Sequence, residues 1–133
     1  MKIKAYSQYL ESEILPIYKA VGWRNYYEQP EMLKKAYEGS LCILGAYEGE
    51  KLIGIIRAVG DGHSIVFIQD IIVYPEYQRR GIGTELMCAL LRRYGNVYQI
   101  ELATDDTEKA KAFYESMGFR PMDAVGCCGF IRM

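Results

Sequence analysis

The feature that most constrains the fold is an apolar run, Ile65–Val73, which leads through a turn containing paired glycines into an amphipathic helix. A run with almost no polar residue is typical of a central strand that is covered on both faces. The helix is predicted from about Gly83 to Arg93, and Val97–Ala103 then alternates like a further strand. A helix between two such strands can connect them in parallel by a crossover, which favours an α/β fold.

Shorter elements flank this unit on both sides. Strands are predicted at Lys2–Tyr6, Leu41–Tyr47, Lys51–Val59 and Ser64–Val73, with hairpin turns between the last three. Helical spacing runs from Leu10 to Val21, where Pro16 predicts either a break or a helix that begins at the proline. Further helices are predicted from Pro30 to Gly39 and from Thr107 to Met117, and a final strand at Gly126–Met133. We therefore expect a single domain, residues 1–133, in which a mixed, largely antiparallel sheet is flanked by about four helices.

The composition narrows the possible partners and compartments. The net charge is −1 and the basic residues are scattered, which argues against a surface for nucleic acid. No apolar run is long enough to span a membrane and no signal-peptide pattern is present, so we expect a cytoplasmic protein. The cysteines lack C-x-x-C spacing and the chain has 1 His, so no metal is expected. Free, mostly buried thiols in a reducing compartment are predicted for all of them, namely Cys42, Cys88, Cys127 and Cys128.

The turn after the apolar run, Gln78–Thr84, has the chemistry of an anion site. The first N–H groups of a helix lack partners within the helix, and the helix dipole adds a partial positive charge there. Glycines let a phosphate approach the backbone, and Arg79 and Arg80 add fixed positive charge. The loop lacks the third glycine of the dinucleotide fingerprint, where Leu86 stands, and the Gly-Lys-Ser/Thr ending of a P-loop. A plain turn with a glycine helix cap is the alternative.

The pattern Gln-x-x-Gly-x-Gly resembles the pyrophosphate loop of the GNAT superfamily of acetyl-coenzyme A-dependent N-acetyltransferases. About 30 residues downstream, Ala110-x-x-Phe113-Tyr114-x-x-x-Gly118-Phe119 resembles the last-helix signature of that superfamily. The segment from Asp70 to Gln78 is similar to its central strand and strand exit. The segment from Tyr18 to Trp23 is similar to the end of the first helix in a branch that acts on small amines.

The resemblance implies a fold, a reaction and a cofactor site. Two parallel strands would splay apart, and the pantetheine arm of acetyl-coenzyme A would lie in the gap. An amine would attack the thioester directly. The strand backbone at Ile71, Ile72 and Val73 would pair with the pantetheine amides. The pyrophosphate would be held by the loop residues Gln78, Arg79, Arg80, Gly81, Ile82, Gly83 and Thr84.

Three side chains are candidates for the chemistry and for a further cofactor contact. Tyr114 would protonate the leaving thiolate, since the resemblance places it beside the sulfur; the alternative is a ring packed with Phe113. Asp70 needs a hydrogen-bonding role because a buried carboxylate without a partner is costly, and it would either accept the substrate's proton through water or hold a loop. The early-strand glutamate that some members use as a base is absent from Val66–Ile68. Thr107 would contact the cofactor or cap its helix.

The acceptor site is predicted in an aromatic-rich turn between the first two helices, at Trp23, Tyr26 and Tyr27. These rings would wall the entrance for an amine, or simply pin the loop. We expect a small-molecule primary amine as acceptor. The alternatives are a non-catalytic acyl-coenzyme A-binding regulatory module and an acetyltransferase for a protein N-terminus or lysine. A homodimer is also expected, because a terminal apolar strand over Gly129–Met133 would present an edge that invites pairing and because many relatives are dimers.

Overall fold

The computed structural model describes all 133 residues, which form two compact units, residues 1–103 and 104–133. The elements of the first unit are, in chain order, β1 (Lys2–Ala5), α1 (Glu11–Ala20), α2 (Arg24–Tyr27), α3 (Pro30–Glu38), β2 (Cys42–Glu48), β3 (Lys51–Gly60), β4 (Ile65–Val73), α4 (Ile82–Arg93) and β5 (Gln99–Leu102). The second unit contains α5 (Glu108–Ser116). Short 3₁₀ turns lie at Pro75–Tyr77 and Met122–Val125.

The sheet of the first unit confirms the predicted mixed topology. Its five strands follow the order β1-β2-β3-β4-β5. All neighbours pair antiparallel except β4 and β5, which are parallel and are connected through α4. Burial alternates along β4, whereas Leu52–Ala58 of β3 are buried without interruption. The strand covered on both faces is thus β3 rather than the predicted β4, because β3 occupies the middle of the sheet.

The parallel pair separates halfway along β4. Pairing with β5 runs from Ile65 opposite Gln99 to Ile68 opposite Leu102, and then stops. At the same point the β3–β4 register shifts, because Arg57 lies opposite Asp70 and Ala58 opposite Ile68. Gln69 is therefore the extra residue of a β-bulge, which bends a strand and increases its twist. The second half of β4 has no strand on its β5 side, as expected for a splayed pair.

Helices cover both faces of the sheet. Ile14 and Tyr18 of α1 and Leu33 of α3 form a buried cluster with Ile55 of β3. On the other face, a Cβ added to Gly54 would lie 3.3 Å from Leu86 of α4. Since neighbouring strand residues point to opposite sides, α4 packs on the face opposite to α1 and α3. The buried side of α4 consists of Ile82, Leu86, Met87 and Leu90, and burying each such side chain contributes about 1.5–3 kcal/mol.

Two predictions were wrong, one about Pro16 in the first helix and one about residues 126–133. The helix α1 neither breaks nor begins at Pro16 but continues through it, because Ile14, Ile17 and Tyr18 on its inner side are fully buried. The packing of these side chains outweighs the hydrogen bond that proline removes. Residues 126–133 form no strand, since no neighbouring strand pairs with them. Instead Phe130, Ile131 and Met133 are almost fully exposed.

The cysteines are all free, as predicted. The prediction that most of them are buried was wrong, because Cys42 is buried and Cys88 half-buried, whereas Cys127 and Cys128 lie exposed in the unpaired tail. No group of three or more His, Cys, Asp or Glu side chains converges in the structure. None of the helices combines the length and the apolar character needed to cross a membrane.

Candidate active site

The start of α4 presents unpaired backbone donors. The N-cap residue Gly81 has a φ of 78° and offers no side-chain cap. The N–H groups of Ile82, Gly83 and Thr84 have no acceptor, and the first helical bond runs from the Glu85 N–H to the Gly81 carbonyl, 3.0 Å away. Such free N–H groups, aligned with the helix dipole, are what a phosphate binds.

The two arginines of the loop reinforce this site. Arg79 also has a positive φ, 66°, and it is the one residue other than glycine that does. Successive turns of this kind direct backbone N–H groups into a concavity suited to anions. Neither Arg79 nor Arg80 pairs with a carboxylate. The Arg80 guanidinium lies 5.2 Å from the centre of the Tyr77 ring, and the Lys51 ammonium lies 5.3 Å from the same centre. The loop therefore carries positive charge that no neighbouring acid neutralises.

Gln78 holds the loop to the end of β4. Its Nε2 donates to the Val73 carbonyl at 3.0 Å. On the other edge of β4, the Tyr74 N–H donates to the Ile53 carbonyl of β3. Backbone groups alternate between the two edges of an antiparallel strand. Those of Ile71 and Val73 consequently face the open β5 side, whereas those of Ile72 face β3, so the predicted amide contacts can come only from Ile71 and Val73.

Asp70 is buried among polar partners. It is 2% exposed, and its Oδ2 accepts from Arg57 Nε and from the Tyr18 hydroxyl, both at 2.7 Å. Tyr18 and Tyr37 share a hydrogen bond of 2.9 Å, and Arg57 Nη1 donates to Ser40 Oγ at 3.2 Å. Burial raises the pKa of both phenols. Burial alone would lower the pKa of Arg57, but the Asp70 charge raises it overall. The expected hydrogen-bonding role of Asp70 is therefore met within the first unit by an ion pair and a phenol.

The aromatic turn packs against this network. Trp23 and Tyr26 are half-buried, with ring centres 6.0 Å apart, and the Tyr26 ring lies 5.4 Å from that of Tyr18. The Tyr26 hydroxyl accepts a hydrogen bond of 3.0 Å from Gln69 Nε2. Tyr27 packs on the same buried cluster, and the Lys19 ammonium lies 5.9 Å from its ring centre. Of the three predicted acceptor residues, Tyr26 contacts the bulge of β4 directly, and Trp23 packs beside Tyr26.

The second unit contains the other candidates. Tyr114 is half-buried, with its ring centre 5.0 Å from that of Phe113 and 6.1 Å from that of Phe119. Burial raises the pKa of its phenol, and a hydrogen bond with Thr104 partly opposes this. The Thr107 hydroxyl accepts from the Ala110 N–H at 3.2 Å, so its predicted capping role is confirmed. The hydroxyl proton of Thr107 is still free for a further contact.

Sequence reasoning missed Arg57 and gave Gln69 no defined role. Arg57 is the only charged residue between Lys51 and Gly60 of β3. An isolated cation in an otherwise apolar strand needs a buried acid, and Asp70 of the next strand was the available partner. Gln69 interrupts the apolar run Ile65–Val73, but only the register identifies it as the bulge residue.

Comparison with known proteins identifies the family. The sequence profile of the Acetyltransferase (GNAT) family matches residues 7–119. An acetyltransferase of the GNAT family from Streptococcus pneumoniae TIGR4 has 45% sequence identity and a TM-score of 0.90, over 99% of this chain and 96% of that one. The PaiA N-acetyltransferase from Thermoplasma acidophilum, whose structure is a complex with coenzyme A, has 17% identity and a TM-score of 0.71, over 92% of each chain.

Among curated sequences, an uncharacterized ycf52-like N-acetyltransferase from Prochlorococcus marinus is 29% identical over 124 residues. That match covers 89% of this chain and 67% of the relative. Four further curated relatives are matched over 23% to 42% of their length. Since the family profile covers most of the chain, the protein belongs to the GNAT acetyltransferase family and is an acyltransferase.

Proposed function

We propose that the protein transfers the acetyl group of acetyl-coenzyme A to the primary amine of a small molecule by direct attack. One observation carries this proposal: unpaired N–H groups and unpaired arginines meet at the start of α4, which follows the strand that parts from β5. The site suits the pyrophosphate of a coenzyme A thioester. The pneumococcal relative supports the enzyme class, and the coenzyme A in the Thermoplasma structure supports the donor.

The residues that would hold the donor differ in what they contribute. The backbone of Ile82, Gly83 and Thr84 would bind phosphate oxygens, with Arg79 and Arg80 providing charge. Gln78 would keep the loop in place through Val73 rather than contact the ligand. The backbone groups of Ile71 and the N–H of Val73, whose carbonyl is taken by Gln78, would pair with the pantetheine amides. Thr107 would add a contact through its hydroxyl proton.

The thioester supplies the activated acetyl group, and the protein handles the protons. Tyr114 is our candidate acid for the leaving thiolate. A tyrosine phenol has an ordinary pKa of about 10 and burial raises that of Tyr114, so the group is protonated at neutral pH and available as a donor. Asp70 is a candidate acceptor for the amine proton through water. Its bonds to Tyr18 and Arg57 favour the alternative, in which Asp70 fixes the surrounding elements.

The acceptor proposal rests on the aromatic turn. Trp23 and Tyr26 present half-buried rings beside the bulge of β4, and Tyr27 extends the aromatic surface. Such rings attract an ammonium group and cover its apolar carbons. We also propose that residues 1–133 act as one functional domain and that the protein is cytoplasmic.

Two measurements test the activity. Acetyl-coenzyme A should raise the melting temperature, and coenzyme A should be released with at least one of four probes: phenylethylamine, putrescine, glucosamine or a peptide with a free N-terminus and a lysine. Release with only the peptide would replace the small-molecule acceptor by a protein. Stabilisation without release from any probe favours the non-catalytic binding module. No stabilisation would contradict the cofactor site.

We expect a homodimer because the last residues expose apolar side chains, although they do not form the predicted edge strand. Phe130, Ile131 and Met133 are 95%, 82% and 105% exposed, and large apolar side chains exposed close together in the chain favour an association site. Light scattering at micromolar concentration should give about twice the 15.2 kDa of the chain. Replacing Phe130 and Ile131 by serine should give the monomer mass. A monomeric wild type would contradict the proposal.

A further inference from the structure

Gln69 stands out because the bulge turns it outward between two buried neighbours. Ile68 and Asp70 are each 2% exposed, whereas Gln69 is exposed. The register passes from Ile68 to Asp70 opposite consecutive residues of β3, so Gln69 itself has no cross-strand partner. Bulges of this kind often occur next to active sites, where they redirect one side chain. This one lies where β4 and β5 stop pairing.

The side-chain amide of Gln69 is fixed rather than free to rotate. Its Nε2 donates to the Tyr26 hydroxyl at 3.0 Å. The Tyr26 ring packs on Tyr18, whose hydroxyl in turn donates to Asp70 Oδ2 at 2.7 Å. The path of contacts thus leaves the strand at Gln69 and returns to it at Asp70, the next residue. An exposed side chain that is anchored in this way has already lost much of the rotamer freedom that binding would otherwise remove.

The fixed orientation leaves Oε1 available as an acceptor. Gln69 Oε1 has no hydrogen-bond partner, and an amide oxygen can only accept. The neutral amine that attacks a thioester uses its nitrogen lone pair, so its N–H groups remain as donors. An amide does not titrate near neutral pH, so Gln69 can orient the amine but cannot remove its proton.

The geometry points to Gln69 as the residue that positions the acceptor: its Oε1 accepts an N–H of the primary amine while Tyr26 holds the amide in place. This inference rests on the proposed amine acetylation. It assigns Tyr26 a role through Gln69 in addition to that of an aromatic wall. It also limits the acceptors to groups that keep an N–H while they attack.

The test is steady-state kinetics with whichever of the four probes the wild type acetylates fastest. Gln69→Leu removes the amide at similar size and should lower kcat/KM for the amine about 3- to 10-fold, the loss of one hydrogen bond. The KM and thermal stabilisation of acetyl-coenzyme A should not change. Gln69→Glu keeps an acceptor and should retain more activity than Gln69→Leu.

A double-mutant cycle separates positioning from packing. Tyr26→Phe keeps the ring and releases the amide, so it should lower kcat/KM in the wild type but have no further effect beside Gln69→Leu. Tyr98→Phe, at a tyrosine that is 82% exposed, is the matched control and should change nothing.

Wild-type amine kinetics in Gln69→Leu would overturn the inference and leave the proposed function standing. A parallel loss of acetyl-coenzyme A binding would also overturn it, because the residue would then support the fold. Absence of turnover in the wild type with every probe would overturn both.

Discussion

Replacing Asp70 by asparagine removes the only carboxylate within 4.0 Å of the Arg57 guanidinium. The side chains of the pair are 5% and 1% exposed, so water cannot replace the lost charge. Breaking a buried ion pair at one partner typically costs about 3–5 kcal/mol, because the remaining charge is left uncompensated. For a chain of this size, that loss should lower the melting temperature by roughly 10–20 °C.

The assay is urea unfolding of the wild type and of Asp70→Asn, followed by circular dichroism. The matched control is the double variant Asp70→Asn with Arg57→Met, which removes both charges and keeps an acceptor for Tyr18. This variant should recover most of the lost stability, because it no longer contains the unpaired, buried Arg57 cation that destabilises Asp70→Asn. If the single variant is as stable as the wild type, the ion pair contributes nothing and the reasoning is wrong.

The same two variants decide the chemical role of Asp70. If Asp70 only fixes its neighbours, kcat should recover in the double variant together with stability. A double variant that is stable but has lost 10²-fold or more in kcat would identify Asp70 as the proton acceptor.

Three further predictions concern the cofactor loop, the acid and the buried phenols. A hundredfold excess of acetyl-coenzyme A over its Kd should add about 2.7 kcal/mol of stability. Gly83→Val should abolish this gain, whereas Lys34→Val, at an exposed position of α3, should not. If acetyl-coenzyme A still stabilises the Gly83→Val protein, the loop is not the binding site. Tyr114→Phe should lower kcat by a factor of roughly 10²–10⁴ with unchanged acetyl-coenzyme A affinity. If the variant turns over as fast as the wild type, Tyr114 is a packing residue and not the acid. Burial raises the pKa of Tyr18 and Tyr37, so only the unfolded chain ionises these phenols just above the ordinary tyrosine pKa of about 10. Their contribution to the free energy of unfolding should be complete below that pH and should fall as the pH rises above it. Urea midpoints that stay constant between pH 9 and 11 would contradict this.

The central part of the fold could be predicted because local and long-range preferences agree there. The apolar run of β4, the glycine at the start of α4 and the leucines of that helix each favour the structure that forms. Residues 126–133 and Pro16 were predicted wrongly for opposite reasons. The tail has strand-like composition but no partner, and Pro16 has a helix-breaking ring but fully buried neighbours.

The cofactor loop was similarly predictable, because the glycines, the arginines and the helix start that form the site are consecutive in the chain. The polar network was not, because Tyr18, Arg57 and Asp70 come from three elements and their contacts depend on the register of the sheet. No residue type in the sequence marks the position of the bulge. A one-residue shift in pairing can be found only when both strands are seen together.

The way α2 is attached has a consequence for how acceptor preference can evolve. The backbone of this single-turn helix bonds only to neighbouring residues of the chain, so only side chains connect it to the strands. Substitutions in Arg24–Tyr27 can therefore alter the surface offered to an amine without disturbing any backbone hydrogen bond of the sheet. Descendants of such a protein could exchange acceptors by drift in one short segment, while the donor loop and the central strands are inherited intact.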